Sequence, residues 1–259
     1  MTDSSRPPQR WTNIGLPTLG TVLIIGLWWG ITRVFSIEPF FLPAPPDVVE
    51  SFLKIPQDLF KHAGVTLLET VIGFGIATVG AILLAILLAA SRTVERMTFP
   101  AIAGINAVPK VALAPLLLIW VGIEPEAKVL MAILLCFFPI LVATMAGLSS
   151  TPADLGEMAR SLSASWWQTF IRVRLPWALP QIFIGLKVAT SLAIIGAIIG
   201  EVVQPSQGLG YVISSSGQSA DTPLAFAALT LLAVMGAALF YAMVGLERIL
   251  VPWARSISS

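Results

Sequence analysis

Long apolar stretches alternate with short polar segments along the whole chain. Six stretches are long enough to cross a bilayer, which takes about 20 residues, with a range of roughly 17–25. They cover residues 14–35, 64–91, 98–122, 127–149, 177–203 and 222–249. In lipid only helices or closed barrels satisfy their backbone groups, and these runs are too long and continuous for barrel strands. The pattern predicts an all-α fold in which residues 1–259 form a single transmembrane domain of six helices.

The composition agrees with a polytopic membrane protein. Of the residues, 56% are hydrophobic and 11% are charged, whereas soluble proteins carry about 25% charged residues. No basic cluster is dense enough to bind a phosphate backbone, so no nucleic-acid partner is expected. The single cysteine, Cys136, lies in an apolar run and is interpreted as a buried core residue. The first apolar stretch is longer than a signal-peptide core and no small-residue cleavage site follows it, so we interpret it as a span.

The distribution of lysine and arginine predicts the orientation in the membrane. Nine of these 15 residues lie in alternate segments that face one side, and at most four face the other side. Cytoplasmic loops carry an excess of both residue types. Both termini and residues 151–176 are therefore expected in the cytoplasm, in a protein of the inner or plasma membrane. The nine residues are Arg6, Arg10, Arg92, Arg96, Arg160, Arg172, Arg174, Arg248 and Arg255.

Residues 36–63 link the first two spans on the outward side. Four prolines between positions 39 and 46 favour an extended path there. Asp47 is then expected to cap a short amphipathic helix that lies on the outer membrane surface. His62 has no other metal-ligand type at suitable spacing and is interpreted as a surface residue.

Residues 151–176 form a polar segment between two spans, with the sequence TPADLGEMARSLSASWWQTFIRVRLP. Thr151 is a plausible N-cap for a first helix, with Pro152 at the first helical position. Ser165 is a plausible N-cap for a second helix, which Pro176 and Pro180 are expected to end. The first helix carries one apolar stripe at spacings i, i+3, i+4 and i+7, formed by Leu155, Met158, Ala159 and Leu162.

An amphipathic helix pair of this kind has two interpretations. It packs beneath its own bundle, or it docks on another protein, because tryptophan and arginine are favoured both at membrane interfaces and at protein interfaces. The residue types alone favour neither interpretation.

The spacing of the segment resembles the cytoplasmic EAA loop of ABC importer permeases. That pattern is Glu-Ala-Ala, three residues, Gly, nine residues, Ile, one residue and Leu-Pro. Here residues 157–159 fill the triplet, Ser163 stands at the glycine, Val173 stands at the isoleucine, and Leu175 and Pro176 match the closing pair. Further stretches, from FLPAPPDVVESFLK to GLGYVI, resemble the sulfonate, nitrate and pyrimidine-precursor branch of this family of binding-protein-dependent transporters.

The resemblance implies a permease subunit that forms the translocation path of an ATP-driven importer. The expected solute is a small organic or inorganic anion or a heteroaromatic compound. The expected partners are cytoplasmic ABC ATPase subunits, an extracytoplasmic substrate-binding protein and a second permease copy, taken as a homodimer. The residues expected to couple the loop to the ATPase are Leu155, Glu157, Met158, Ala159, Arg160, Leu162, Ser163 and Pro176, with Glu157, Ala159 and Ser163 as contacts.

The chain itself offers no catalytic chemistry. It contains no G-x-x-x-x-G-K-[ST] phosphate loop, so ATP hydrolysis is expected in a separate polypeptide. No cofactor or metal site is predicted. A stand-alone secondary transporter or channel is the alternative, but neither an inverted repeat nor a buried acidic relay is visible. A membrane-embedded enzyme would need a nucleophile–base pair or metal ligands at membrane depth, and none is visible.

Polar residues inside the spans are candidates for the translocation path, because burying an ionisable group there costs about 2.5–3.5 kcal/mol. Lys110 and Lys187 either snorkel to the cytoplasmic interface or line an anion-favouring inner gate. The full candidate set is Asn106, Lys110, Lys187, Thr190, Ser191 and Glu201. The pairs Gly26–Gly30 and Gly196–Gly200 have G-x-x-x-G spacing, which favours close helix packing.

Overall fold

The computed structural model describes residues 9–122, 125–204 and 206–253, and all regular structure in these ranges is helical. The all-α prediction is confirmed. Arg6, Glu124 and Arg255 lie outside the described residues. The helices are α1 (Gln9–Val34), α2 (Pro45–Lys54), α3 (Pro56–Ala89), α4 (Arg92–Ala107), α5 (Ala114–Val121), α6 (Pro125–Ser149), α7 (Ala153–Ser161), α8 (Trp166–Thr169), α9 (Leu175–Val203), α10 (Leu209–Gln218) and α11 (Thr222–Leu250).

Four helical segments are long and apolar enough to span a membrane: Pro56–Ala89, Glu126–Ser149, Trp166–Val203 and Thr222–Leu250. A fifth span is formed if the bent pair Arg96–Ala107 and Lys110–Val121 counts as one. The apolar part of α1 is shorter and covers Thr18–Val34. All six predicted stretches are thus largely helical, and the count of six membrane crossings stays a prediction.

Helix α6 lies at the centre of the bundle, between α3 and α9. Small residues allow this close approach, as expected in lipid, where packing drives helix association in place of the hydrophobic effect. On α3 the buried Ala77, Ala81 and Ala85 recur every four residues. On α9 a Cβ added at Gly196 would lie 2.6 Å from the Cα of Ala132 in α6.

The two G-x-x-x-G pairs differ in what surrounds them. Gly196 and Gly200 both pack against the backbone of α6, as the sequence predicts. In contrast, a Cβ added at Gly26 or Gly30 of α1 would meet nothing within 4 Å among the described residues. Of the two glycine pairs, the one on α9 makes a close helix contact among the described residues.

The third apolar stretch is broken at Val108 and Pro109. Helix α4 ends at Ala107, a 3₁₀ turn covers Lys110–Leu113, and α5 resumes at Ala114. The two halves are bent by 73°. Proline removes a backbone donor and disfavours helix in the residue before it. Pro109 therefore explains why the helix is interrupted at this point.

Helix α2 begins earlier than predicted. It starts at Pro45, with Ala44 at the N-cap position. Asp47 lies one turn inside, and its carboxylate accepts a hydrogen bond from the backbone N–H of Ala44 at 3.0 Å. Asp47 therefore stabilises the helix start from inside the first turn, and its prediction as the N-cap residue was wrong.

We expect Gly196→Ala to lower the free energy of unfolding by about 1–3 kcal/mol, because the added methyl group overlaps α6. Gly26→Ala is the matched control, since it makes the same helical change where no atom lies within 4 Å. Thermal unfolding of both variants in mild detergent measures the difference. Equal stability of the two variants would contradict the α6–α9 contact.

Candidate functional site: the 151–176 loop and the buried polar cluster

The first helix of the loop, α7, begins at Ala153, one residue later than predicted. Pro152 occupies the N-cap position, and no side chain caps the helix. The hydroxyl of Thr151 instead donates to the carbonyl of Leu148 at 3.4 Å, at the end of α6. The prediction of Thr151 as N-cap was wrong because this hydroxyl serves the preceding helix.

The apolar stripe predicted on α7 divides into two rows. Ala159 is 5% exposed and Leu155 is half-buried, so this row faces the bundle. Met158 and Leu162 are 53% and 75% exposed, so this row faces away. Within each row the residues are four positions apart, and the two rows are three positions apart, so they lie side by side on the helix. We call the exposed row, together with Glu157 and Arg160, the outward face of α7.

Glu157 and Arg160 are loosely paired on this outward face. The guanidinium and carboxylate approach to 3.9 Å, and both side chains are more than two-thirds exposed. A pair of this kind contributes little to stability in water. Both charged groups therefore remain available to another molecule.

Ser163 ends α7 in a left-handed conformation, with φ of 55°. Its N–H donates to the carbonyl of Arg160 at 2.9 Å, and the N–H of Ala164 donates to the carbonyl of Ala159 at 3.0 Å. This pair of bonds is the Schellman motif, whose left-handed residue is usually glycine. The turn that glycine favours therefore forms here with serine.

The second helix starts as predicted and ends differently. The Ser165 hydroxyl accepts from the N–H of Gln168 at 3.3 Å, and the Gln168 side chain accepts from the N–H of Ser165 at 2.8 Å. Helix α8 then passes through a π turn, Phe170–Arg174, into α9 without a stop. The prediction that Pro176 and Pro180 end this helix was wrong.

The π turn explains why the helix continues through Pro176, whereas Pro180 lies in the interior of α9. The N–H of Leu175 bonds to the carbonyl of Phe170, five residues back, which shifts the hydrogen-bond register. Pro176 then lies in the first turn of α9, where no backbone N–H is required. Trp166 and Phe170 stack at 5.3 Å between ring centroids, so the loop is joined to the span as one helical body.

A second site lies near the other end of the bundle, where three charged groups are buried together. Glu201 of α9 is 0% exposed, and Glu69 of α3 and Lys128 of α6 are 5% and 3% exposed. The Lys128 ammonium lies 3.6 Å from the Glu69 carboxylate. Buried charges are stable only when they are paired and hydrogen-bonded. We call these residues, together with Thr66 and His62, the polar cluster.

The polar cluster holds the start of helix α10 through its backbone. The first N–H groups of a helix have no partner within the helix. Here the N–H of Gly210 donates to Glu201 at 2.6 Å, the N–H of Leu209 donates to the Thr66 hydroxyl at 2.8 Å, and the N–H of Gly208 donates to His62 Nδ1 at 3.0 Å. The helix is therefore capped by side chains of α3 and α9.

Lys128 holds the residues just before α10. Its ammonium donates to the hydroxyl of Ser206 and to the carbonyl of Gln207, both at 3.1 Å. The Thr66 hydroxyl also donates to Glu201 at 2.6 Å, which joins α3 to α9. Three spans and one short helix thus meet at a single group of side chains.

The sequence analysis missed most of this cluster. His62 was interpreted as a surface residue, and this was wrong, because it is half-buried and accepts the Gly208 N–H. Lys128, at the start of the fourth predicted stretch, was not identified as a buried residue. Opposite charges at membrane depth were the available signal, but their pairing joins residues that are 59 or more positions apart and is not visible in a single sequence.

The predicted path residues lie at four places in the bundle. Lys110 donates to the side-chain oxygen of Asn106 at the break in the third stretch. Lys187 pairs with Glu247 of α11 at 2.9 Å, a partner that the sequence analysis did not identify. Thr190 is buried and Ser191 is exposed on α9. Glu201 lies in the polar cluster, completely buried.

We expect Ser163→Gly to raise the free energy of unfolding by roughly 1 kcal/mol, because glycine adopts a left-handed conformation at little cost. Ser161→Gly is the control and should lower it, because Ser161 is the last residue of α7 and glycine disfavours helix. Thermal unfolding of the two variants tests the turn. A loss of stability in Ser163→Gly would contradict it.

We expect Gly208→Ala to lower the free energy of unfolding by about 3 kcal/mol or more, as breaking a buried charge network does. Its Cβ would lie 2.1 Å from the Glu201 carboxyl carbon. Gly122→Ala is the matched control: Gly122 also has positive φ, but its Cβ would meet nothing within 4 Å. Thermal unfolding should show a loss of about 1–2 kcal/mol for that control. An equal loss in both would show that backbone strain alone is responsible.

Comparison with known proteins gives consistent matches along the chain. Residues 78–256 match the family described as "Binding-protein-dependent transport system inner membrane component". The chain is 35% identical to the formylaminopyrimidine transport permease protein ThiX of Halalkalibacterium halodurans, over 92% of this chain and 96% of that protein. It is 37% identical to the riboflavin transport system permease protein RibX of Chloroflexus aurantiacus, over 95% and 92%. It is 30% identical to the taurine transport system permease protein TauC of Escherichia coli, over 95% and 92%.

Proposed function

The chain belongs to the family of inner membrane components of binding-protein-dependent transport systems, and on that premise we propose that it forms the translocation path of an ATP-driven importer. Energy reaches it through the 151–176 loop. The observation that carries this proposal is the outward face of α7, which presents Met158 and Leu162 beside two weakly paired charges.

The outward face of α7 fits a protein partner better than it fits water or lipid. Exposed apolar side chains with a polar rim are the usual composition of a modest but specific protein interface. The Schellman turn and the Ser165 cap fix the turn that follows this helix. The partner is a cytoplasmic ABC ATPase subunit, because the chain itself contains no phosphate loop.

The residues expected at this interface have different roles. Glu157, Met158, Arg160 and Leu162 contact the ATPase. Ala159, which the sequence analysis expected as an ATPase contact, is buried and faces the bundle together with Leu155. These two residues therefore transmit the motion of α7 to the spans. Ser163 supplies the turn, and Pro176 lies where the loop joins α9.

The continuous helix Trp166–Val203 is the element through which the ATPase moves the path. It runs from the loop, past the Lys187–Glu247 pair, to Glu201 in the polar cluster. A displacement of α7 and α8 is therefore transmitted along this continuous helix to the far end of the bundle. That coupling switches the path between its outward-facing and inward-facing states.

The translocation path lies along the candidate residues Asn106, Lys110, Lys187, Thr190, Ser191 and Glu201. Lys187 is neutralised by Glu247, so Lys110 supplies the positive charge beside the break in the third stretch. The solute is a small heteroaromatic or anionic compound, a class suggested by the names of the similar permeases. A second copy of this chain completes the path, and an extracytoplasmic binding protein delivers the solute.

The proposed orientation places both termini and the 151–176 loop in the cytoplasm. The arginines at positions 96, 160, 172, 174 and 248 support it, since cytoplasmic segments are enriched in arginine and lysine. The polar cluster then lies near the extracytoplasmic end of the spans, where the binding protein docks.

We expect the double variant Glu157→Ala/Arg160→Ala to co-purify at least tenfold less ATPase from native membranes than the unmodified chain. The reason is that it removes the charged rim of the outward face. The control is Glu50→Ala/Lys54→Ala, which removes another exposed helical ion pair, 3.0 Å apart, on α2. Mild-detergent pull-down with quantitative mass spectrometry measures the partner.

Equal ATPase recovery for the two double variants would overturn the docking assignment. Recovery of the unmodified chain without any ATPase, together with transport in ATP-free proteoliposomes, would favour a stand-alone secondary transporter. Both variants must insert normally, which size-exclusion chromatography of the detergent extract checks.

A further inference from the structure

A cavity of about 1080 Å³ lies beside the 151–176 loop, next to α7. It is bounded by the end of α3, the start of α4, the end of α6 and the π turn before α9. Gly156 and Arg160 of α7 line it, whereas Glu157, Met158 and Leu162 of the outward face do not. The cavity therefore shares Arg160 with the surface proposed for the ATPase and has no other residue in common with it.

Three arginines from three different elements line this cavity. They are Arg96 of α4, Arg160 of α7 and Arg174 of the π turn. No aspartate or glutamate is among the described residues that line it. Arg160 has only the 3.9 Å contact with Glu157, and among the described residues neither Arg96 nor Arg174 forms an ion pair. Three like charges around one cavity repel each other unless an anion lies between them.

The other wall of the cavity is apolar. Val142, Met145 and Leu148 of α6 supply it, from within the apolar span Glu126–Ser149. Trp166 also lines the cavity, and tryptophan is enriched at membrane–water interfaces. The cavity therefore combines three arginines with apolar side chains of a span.

We propose that this cavity binds an anionic phospholipid of the cytoplasmic leaflet, with its phosphate group between the arginines. Arginine binds phosphate through parallel N–H donors, and basic pockets between spans on the cytoplasmic side are suited to anionic headgroups. A lipid fits better than free phosphate because Val142, Met145 and Leu148 would contact its glycerol and first methylene groups.

The bound lipid joins α7 to the neighbouring spans. Arg160 joins α7 to the headgroup, while Arg96 and Arg174 join it to α4 and to the start of α9. The proposal deepens the proposed function by giving the loop a membrane ligand, and it rests on the cytoplasmic orientation of that loop. It does not depend on the identity of the solute or on ATPase docking.

The test is native mass spectrometry of the purified full-length chain, without ATPase, titrated with phosphatidylglycerol. Phosphatidylcholine with the same acyl chains and inorganic phosphate are the two comparison ligands. The variant Arg96→Gln/Arg174→Gln should bind phosphatidylglycerol about thirtyfold more weakly, since each basic side chain near an anionic lipid contributes about a factor of five. Arg172→Gln is the matched control, because Arg172 lies in the same π turn, is exposed and does not line the cavity.

The expected result is one tightly retained phosphatidylglycerol per chain, which the double variant loses and the control keeps. Arg96→Gln alone should weaken binding about fivefold, which tests the site if the double variant does not fold. Equal retention of phosphatidylcholine, equal binding of inorganic phosphate, or equal loss in Arg172→Gln would overturn the proposal. Lipid retention by a chain that recovers no ATPase would leave this site standing and remove the docking assignment.

Discussion

The arrangement of the bundle depends on Glu69, Lys128 and Glu201, three ionisable side chains that are buried together away from water. Unpaired, each of these charges would be costly at membrane depth. Glu201 accepts a hydrogen bond from the Gly210 N–H at the start of α10, and Lys128 donates to Ser206 and Gln207 just before that helix. The same contacts fix the relative positions of α3, α6 and α9. Removing Lys128 would leave Glu69 buried without its ionic partner, and removing Glu201 would leave the Gly210 N–H without its acceptor.

Small residues complete this constraint along the rest of the bundle. The α6–α9 contact is close enough that a methyl group added at Gly196 or Gly200 would overlap the backbone of α6. Since α9 continues through the π turn into α8, the loop and the far end of the bundle belong to one rigid element. A displacement of α8 would therefore reach Glu201 along one continuous helix. This continuity is the physical basis of the coupling that we propose between an ATPase at one end and opening at the other.

The sequence predicted the helical class, the apolar stretches and the Ser165 cap, because each depends on neighbouring residues. The family resemblance places the glycine of the motif at position 163, where Ser163 adopts a positive φ. It failed where distant residues decide the outcome. The π turn that carries α8 past Pro176, the split of the α7 stripe and the pairs Lys187–Glu247 and Lys128–Glu69 all require knowledge of which helices are neighbours. Periodicity and residue type do not contain that information in a single sequence.

The central claim is that the ATPase covers the outward face of α7, and cysteine protection tests it most directly. The only native cysteine, Cys136, is buried, so Leu162→Cys introduces a single exposed thiol. It should react rapidly with a membrane-impermeant maleimide in the purified chain and at least tenfold more slowly in the assembled transporter. Leu53→Cys, on the exposed side of α2, should react equally in both. Equal labelling of Leu162→Cys with and without the ATPase would contradict the account.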